Sequence, residues 1–417
     1  MGTLALPTPS RRQWHPEMRA AQRIMANMAT SATKSGKGGG GGTKSAGAAT
    51  DPFLPRQRKV REAMLGHELT HLLVSSPLDV GYLTGLTGGD SYLLIGPRQP
   101  GAPVTAALIS DFRYQEELQP FADKLEIIIR KRSMGEAVAD LLSGPGVERV
   151  GIQADIMTVA ERDALAKKIG TKKVVSTVGL INKLRSVKDA HEIDLIRRAV
   201  KIQEGALLEV LPTIEAGQTE QAIAARLESE MKARGSAAPS FDTIVGAKGN
   251  SALPHYRAGE MKVANNNVLL IDWGATYKGY HSDMTRTFAL GKWPKKMAEI
   301  YEIVLEAHKL AAAALCAGKS SAEIDKVARD HIAAAGYGEH FGHSLGHGIG
   351  LQIHEEPRLS HMLAGVKLQA GQVVTIEPGI YLPGVGGVRL ENDYVVTETG
   401  SECLATLPMT LEWATLG

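Results

Sequence analysis

Two extended, apolar blocks of this chain each carry a pair of acidic residues placed symmetrically about a turn, and few folds tolerate that. In residues 267–290 two strand-like arms flank Tyr277-Lys278-Gly279; a hairpin centred near 277.5, the mean of 272 and 283, sets Asp272 against Asp283. In residues 373–397 a Pro383-Gly384 turn centred on 384, the mean of 377 and 391, sets Glu377 against Glu391. Side chains directly opposed in an antiparallel pair lie about 4.5–5.5 Å apart at Cβ. Four carboxylates among Val, Ile and Leu neighbours would repel one another and lose their hydration unless protonated or bound to cations. One acid in a strand is usually a solvated edge position; two pairs, each about its own turn, point to a metal site.

Histidines recur nearby. Residues 342–357 hold His343, His347 and His354 at spacings of 4 and 7, with glycines around the middle one. That pattern favours one ligand, with the other imidazoles supporting it or touching a bound molecule. His255, in Ser251-Ala-Leu-Pro-His-Tyr256, is a weaker fourth candidate. Cys316 and Cys403 show no CxxC-type spacing, so a metal here takes oxygen and nitrogen donors. An oxygen-rich set suits Mn²⁺ and accepts Co²⁺ or Zn²⁺.

The remaining composition narrows the function classes. With 47 Lys plus Arg against 45 Asp plus Glu, the net charge of +2 carries no footprint of a nucleic-acid binder. No stretch approaches the roughly 18–20 consecutive apolar residues of a membrane-spanning helix. Residues 1–50 hold seven Lys or Arg and one acid, with a Gly-rich run at 34–44, and read as a flexible basic tail. Without it the net charge becomes 2 − 6 = −4. Residues 51–182 read as a mixed α/β domain with strands near 72–74, 92–95, 106–109 and 125–129, and 174–188 reads as a linker. Residues 183–417 form a second domain with longer helices. The first shows helical spacing at Ile193, Ile196, Ala199, Val200 and Leu207. Three more are placed at 220–234 behind Thr219, from Pro294 to 315, and at 324–335 behind a Ser320/Glu323 capping box. The fold class is α/β (α+β).

The wording of these blocks resembles the pita-bread metallopeptidases, in particular the Xaa-Pro branch of aminopeptidase P and prolidase. The resemblance rests on Asp-Trp-Gly-Ala at 272–275, Ser-Asp-Met-Thr-Arg-Thr at 282–287, Gly-His-Gly-Ile-Gly at 346–350, Ile-Glu-Pro-Gly-Ile-Tyr at 376–381 and Val-Arg-Leu-Glu-Asn at 388–392. It implies a creatinase-like N-terminal domain before a pita-bread catalytic domain. It also implies five metal ligands, Asp272, Asp283, His347, Glu377 and Glu391, holding two divalent ions. Asp272 would chelate one ion, Asp283 and Glu391 would bridge both, and His347 with Glu377 would complete the second.

The same resemblance implies hydrolysis of the bond between an N-terminal residue and a following proline by a metal-bridged hydroxide. Glu377 would shuttle the proton, and His255 or His354 would stabilise the oxyanion. His343, His354, Arg389 and Tyr381 would wall the proline-side pocket. The alternatives are a peptidase of this fold with another N-terminal specificity, and a non-catalytic binding module that kept the architecture. The motifs do not separate a dipeptidase from an aminopeptidase acting on longer peptides. A homodimer acting on peptides is the expectation from the family. Two cysteines, too few for a disulfide framework, point to a reducing, cytoplasmic compartment, and the charge and the lack of a long apolar span point to no nucleic acid and no membrane.

Overall fold

Short Leu-, Ile- and Val-rich runs, separated by Gly, Pro and Asp, build a six-stranded sheet in the first half of the chain. The computed structural model describes residues 51–97 and 106–417, and the expected basic tail at 1–50 lies outside them. The chain divides into one unit closing at Arg185 and another running from Ser186 to Gly417.

In the first unit α1 (Phe53–Gly66) precedes β1 (His71–Val74), α2 (Pro77–Thr84), β2 (Tyr92–Ile95), β3 (Ala106–Ser110), β4 (Glu126–Ile129), α3 (Met134–Leu141), β5 (Val150–Gln153), α4 (Val159–Ile169), β6 (Val174–Thr177) and α5 (Leu180–Ser186). The sheet order is β4-β3-β2-β1-β5-β6. Pairing is antiparallel at β1–β2 and β2–β3 and parallel elsewhere. Leu73, Ile109, Val150, Ile152 and Leu165 form its core. The stretch expected to be a linker, 174–188, is instead the edge strand β6 followed by α5. The reason is visible in the packing: Arg185, at the end of α5, donates to Asp79 at 2.9 Å, and Gln153 donates to the other oxygen of the same carboxylate at 2.6 Å. Both members of the ion pair are buried, so releasing this segment would strand a charge.

The second unit starts with α6 (Ala190–Val210), capped by an Asp189/Glu192 box, which buries Ile196, Ala199, Val200 and Leu207. Then follow α7 (Glu220–Ala233), β7 (Ile244–Ala247), β8 (Asn267–Trp273), β9 (Thr276–Tyr277), β10 (Tyr280–His281), β11 (Met284–Leu290), α8 (Lys295–Ala314) and α9 (Ser321–Ala334). Pro294 is the residue before α8 rather than its first, and Leu315 caps its end. The Ser320/Glu323 box starts α9 as expected. The chain ends in β12 (Gly346–Gly348), β13 (Glu355–Leu359), β14 (Val373–Ile376), β15 (Gly379–Leu382), β16 (Gly386–Arg389), β17 (Asn392–Val396), β18 (Ser401–Cys403) and β19 (Thr415–Leu416). Two sheets, ordered β19-β11-β8-β7 and β13-β12-β14-β17-β18, share one core with these helices. Among the described residues no helix is long and apolar enough to cross a membrane.

Candidate metal centre

The register of each hairpin decides where its carboxylates meet. In β8–β11, Trp273 pairs with Met284 and Asp272 with Thr285, and Tyr277 pairs with Tyr280 across the tip. The turn is therefore Lys278-Gly279, both at positive φ (48° and 84°), as a two-residue primed turn requires. This corrects the centre read from sequence by one residue. Asp272 faces Thr285, and Asp283 is its diagonal neighbour on the same face, just past the end of the ladder.

The second block keeps its expected centre. The β14–β17 pairs run from Val373–Val395 to Ile376–Asn392, and the β15–β16 pairs from Gly379–Arg389 to Leu382–Gly386. Glu377 and Glu391 stand opposite each other in the interruption between the two ladders. Pro378, which has no N–H to give, sits at that break and accepts from Leu390 N–H at 3.4 Å. His347 comes from β12, where a Cβ on Gly346 would lie 2.0 Å from Thr375 O and one on Gly348 2.5 Å from Glu356 O. Only glycines let β14 and β13 approach this closely.

These elements bring Asp272, Asp283, His347, Glu377 and Glu391 to the wall of one cavity of about 570 Å³. Donor atoms of Asp283, His347 and Glu391 lie within 4.8 Å of one another. His347 Nδ1–H donates to Gly348 O at 3.0 Å, which turns Nε2 toward Asp283 and Glu377, each at 3.6 Å. Asp272 Oδ1, Asp283 Oδ1 and Glu391 Oε1 are buried without a hydrogen-bond partner. Burial, reinforced by the neighbouring carboxylates, pushes Asp283 and Glu391 well above the ordinary carboxyl range; burial also raises Glu377. Orphaned oxygens, mutually repelling acids and one oriented imidazole fit a divalent cation.

The supporting atoms are specific. Arg389, buried, donates to Asp272 at 2.6 Å, Thr285 Oγ1 at 2.9 Å, Tyr381 OH at 2.9 Å and Pro254 O at 3.4 Å. Its guanidinium reaches the cavity, but most of its N–H groups hold protein atoms. Tyr381 OH lies 2.8 Å from His343 Nε2, whose ring is fixed at the other nitrogen by Ser344 O at 2.8 Å. The Asp283 N–H donates to Asp393 Oδ2 at 3.1 Å, and burial pushes Asp393 up to about 7.

His255, His343 and His354 also line the cavity. His354 stacks edge-on against His347 with ring centroids 4.3 Å apart. Burial, then the nearby Arg389, lowers His343 to about 4; His354 falls to about 4 through partial burial and the His347 ring, although part of it reaches solvent. Both are neutral at pH 7. Arg358 on β13 lines the same cavity and was missed in the sequence, where its one signal is a cation four residues after His354. Its guanidinium has no ion-pair or hydrogen-bond partner among the described residues.

A separate α/β unit followed by mostly antiparallel sheets enclosing a carboxylate-imidazole centre fits a metal-dependent hydrolase. Comparison with known proteins makes this specific. The family model described as metallopeptidase family M24 matches residues 194–398, and that of the creatinase/prolidase N-terminal domain matches residues 56–187. The chain is 36% identical over 351 residues to the Xaa-Pro dipeptidase of Pyrococcus horikoshii, covering 83% of this chain and 95% of that one. Its fold is similar to the Xaa-Pro dipeptidase from Bacillus anthracis (TM-score 0.82, 36% identity, 87% and 100% covered). It is also similar to the X-Pro aminopeptidase from Thermotoga maritima (TM-score 0.78, 34% identity, 85% and 99% covered). The chain belongs to metallopeptidase family M24, with the pita-bread fold in its second unit and the divalent metal dependence that the family implies.

Proposed function

We propose that this chain hydrolyses the bond between an N-terminal residue and a following proline, using two divalent ions, Mn²⁺ by preference, held by Asp272, Asp283, His347, Glu377 and Glu391. The observation that carries this reading is the convergence of these five side chains, three of them with orphaned buried oxygens, on one cavity, in a chain this similar to named Xaa-Pro peptidases. Bound ions would supply an acidified water and a Lewis acid for the scissile carbonyl.

The chain's own residues do the rest. Glu377, raised by burial, suits a group that takes a proton from water and passes it to the leaving proline nitrogen. The His255 ring, or the neutral His354 ring, donates to the carbonyl oxygen as charge develops there. The tertiary Xaa-Pro amide has no N–H to donate, so recognition falls to the ring and the flanking groups. His343 and Tyr381 wall the proline side, with Arg389 holding Tyr381 in place. The cavity shares Pro254, His255, Tyr256, Arg257 and His343 with an adjoining trough of about 720 Å³, which favours a second reading in which residues beyond proline are accepted.

The test is hydrolysis of Gly-Pro, Ala-Pro and a longer Xaa-Pro-Xaa peptide by chelator-treated protein with Mn²⁺ restored, followed by mass spectrometry. Cleavage of dipeptides alone means a dipeptidase, and cleavage of the longer peptide an aminopeptidase. No metal-dependent cleavage of any of them rejects the Xaa-Pro reading.

A further inference from the structure

The segment 247–259 brings His255 to the cavity, yet after its first residue, Ala247 at the end of β7, its regular structure is one 3-10 turn, Lys248–Ala252. One buried side chain holds it at four points, where Arg389 adds a contact at Pro254 O, 3.4 Å, and Gly387 N–H one at Ser251 Oγ, 2.8 Å. Glu220, the first residue of α7, is fully buried. Its Oε1 accepts from Ala247 N–H at 2.7 Å and Asn250 Nδ2 at 3.0 Å. Its Oε2 accepts from Tyr256 O–H at 2.9 Å and Gly259 N–H at 3.2 Å. Two of these donors precede His255 and two follow it. Asn250 also donates to Tyr256 OH at 2.8 Å, closing a ring of three side chains. The backbone joins in: Glu220 N–H donates to Met261 O, and Gln221 N–H to Gly259 O. The carboxylate sits at the N-terminal, electropositive end of α7, with no cation beside it among the described residues. Its burial is offset by these four donors, all in the segment that carries His255.

We infer that Glu220 is a positioning residue that holds His255 at the substrate carbonyl by pinning the segment on both sides of it; this rests on reading His255 as a substrate-contacting group. Glu220 does not touch the metal ligands, so its effect runs through the segment alone. A carboxylate is required because an amide has one accepting oxygen. Its NH₂ would have to face either Ala247 N–H or Gly259 N–H, and a backbone donor cannot reverse. Glu220→Gln therefore leaves a buried N–H unmet and releases one half of the segment.

The experiment combines amide hydrogen exchange, metal content and kcat/KM on full-length, Mn²⁺-loaded protein. It compares wild type, Glu220→Gln, Tyr256→Phe, His255→Ala and the double variants with His255→Ala. Glu220→Gln is expected to speed exchange across 247–259, leave metal content unchanged and lower kcat/KM about 10- to 100-fold. In the His255→Ala background the same change is expected to cost less than about 2-fold. Tyr256→Phe follows the same pattern with a smaller effect, and decides the matter if Glu220→Gln does not fold. Unchanged exchange over 247–259, or an equal loss of kcat/KM with and without His255, overturns the inference. A His255→Ala variant with wild-type turnover overturns the role of His255 itself, an outcome distinct from the exchange result, which reports on Glu220 alone.

Discussion

Thr285 stands directly across the ladder from Asp272, and its hydroxyl donates to Glu391 Oε2 at 2.6 Å while accepting from Arg389 Nε at 2.9 Å. Arg389 in turn holds Asp272, so one hydroxyl links two of the proposed ligands. Thr285→Val keeps the shape and removes the link. It leaves a guanidinium N–H and a carboxylate oxygen unmet in a buried site, at a cost of about 1–3 kcal/mol. Metal affinity should fall about 10- to 100-fold, as is typical when a ligand's supporting hydrogen bond is lost. Urea denaturation and metal titration check both. A variant with wild-type affinity would show that Asp272 and Glu391 are held by the strands alone.

Much of this centre was legible in the sequence because the acids are misfits: charged side chains in strands whose other members are Val, Leu and Ile. The supporting atoms were not. Thr285, Asp393 and Glu220 are unremarkable residue types whose role appears only when strands 100 or more residues apart, or a helix end and a loop, are brought together. The first hairpin was misplaced by one residue because Tyr277-Lys278-Gly279 offers two possible centres, and only Lys278-Gly279 meets the positive-φ requirement. The second was placed correctly because Pro383-Gly384 leaves no such choice. In the first unit β6 was missed because Val174–Thr177 has only two apolar residues before Ser176 and Thr177 and is mostly unburied, unlike the apolar runs of the other strands that were read.

Glu391→Gln is expected to have opposite effects on the two forms of the protein. In the metal-free form it removes a buried charge that repels Asp283, Glu377 and Asp272, so the melting temperature should rise. In Mn²⁺ the same change removes a proposed bridging ligand, so metal content and turnover should collapse. Asp283→Asn should behave alike. Thermal melts with and without Mn²⁺, together with elemental analysis, read both effects. Near-normal turnover with two ions bound in either variant would exclude that residue as a ligand.

The raised carboxyls make metal-free stability depend on pH with a definite sign. A carboxyl whose folded pKa lies above its unfolded value of about 4 contributes stability that is complete below that value and is lost as pH rises through the folded pKa. Asp283, Glu377 and Glu391 are of this kind, as is Asp393 at about 7. His343 and His354, lowered to about 4, act in the opposite direction, but their contribution is complete above the unfolded imidazole value of about 6.5. Between about pH 6.5 and 8 the carboxyls should therefore dominate. Chelator-treated protein should lose melting temperature across this window, and the increment on adding Mn²⁺ should grow with pH, because the cation displaces those protons. An increment that shrinks with pH would contradict the assignment.

Arg358 gives a prediction about substrate rather than metal. It lines the cavity beside His354 and is itself exposed, in a wall where the buried cation, Arg389, is already committed to Asp272, Thr285 and Tyr381. The free carboxylate of an Xaa-Pro dipeptide needs a cationic partner, and a charge-assisted hydrogen bond contributes about 1.5–3 kcal/mol. Arg358→Met should then raise KM for Ala-Pro about 10- to 100-fold and barely alter it for Ala-Pro amide, whose terminus is uncharged. Because the contact binds ground state and transition state alike, kcat should stay near wild type. Steady-state kinetics on the two substrates separate this from a fault in the metal centre, which would lower kcat for both. Equal losses on the acid and the amide would place the carboxylate elsewhere, with Arg257 on the same cavity wall the next residue to test.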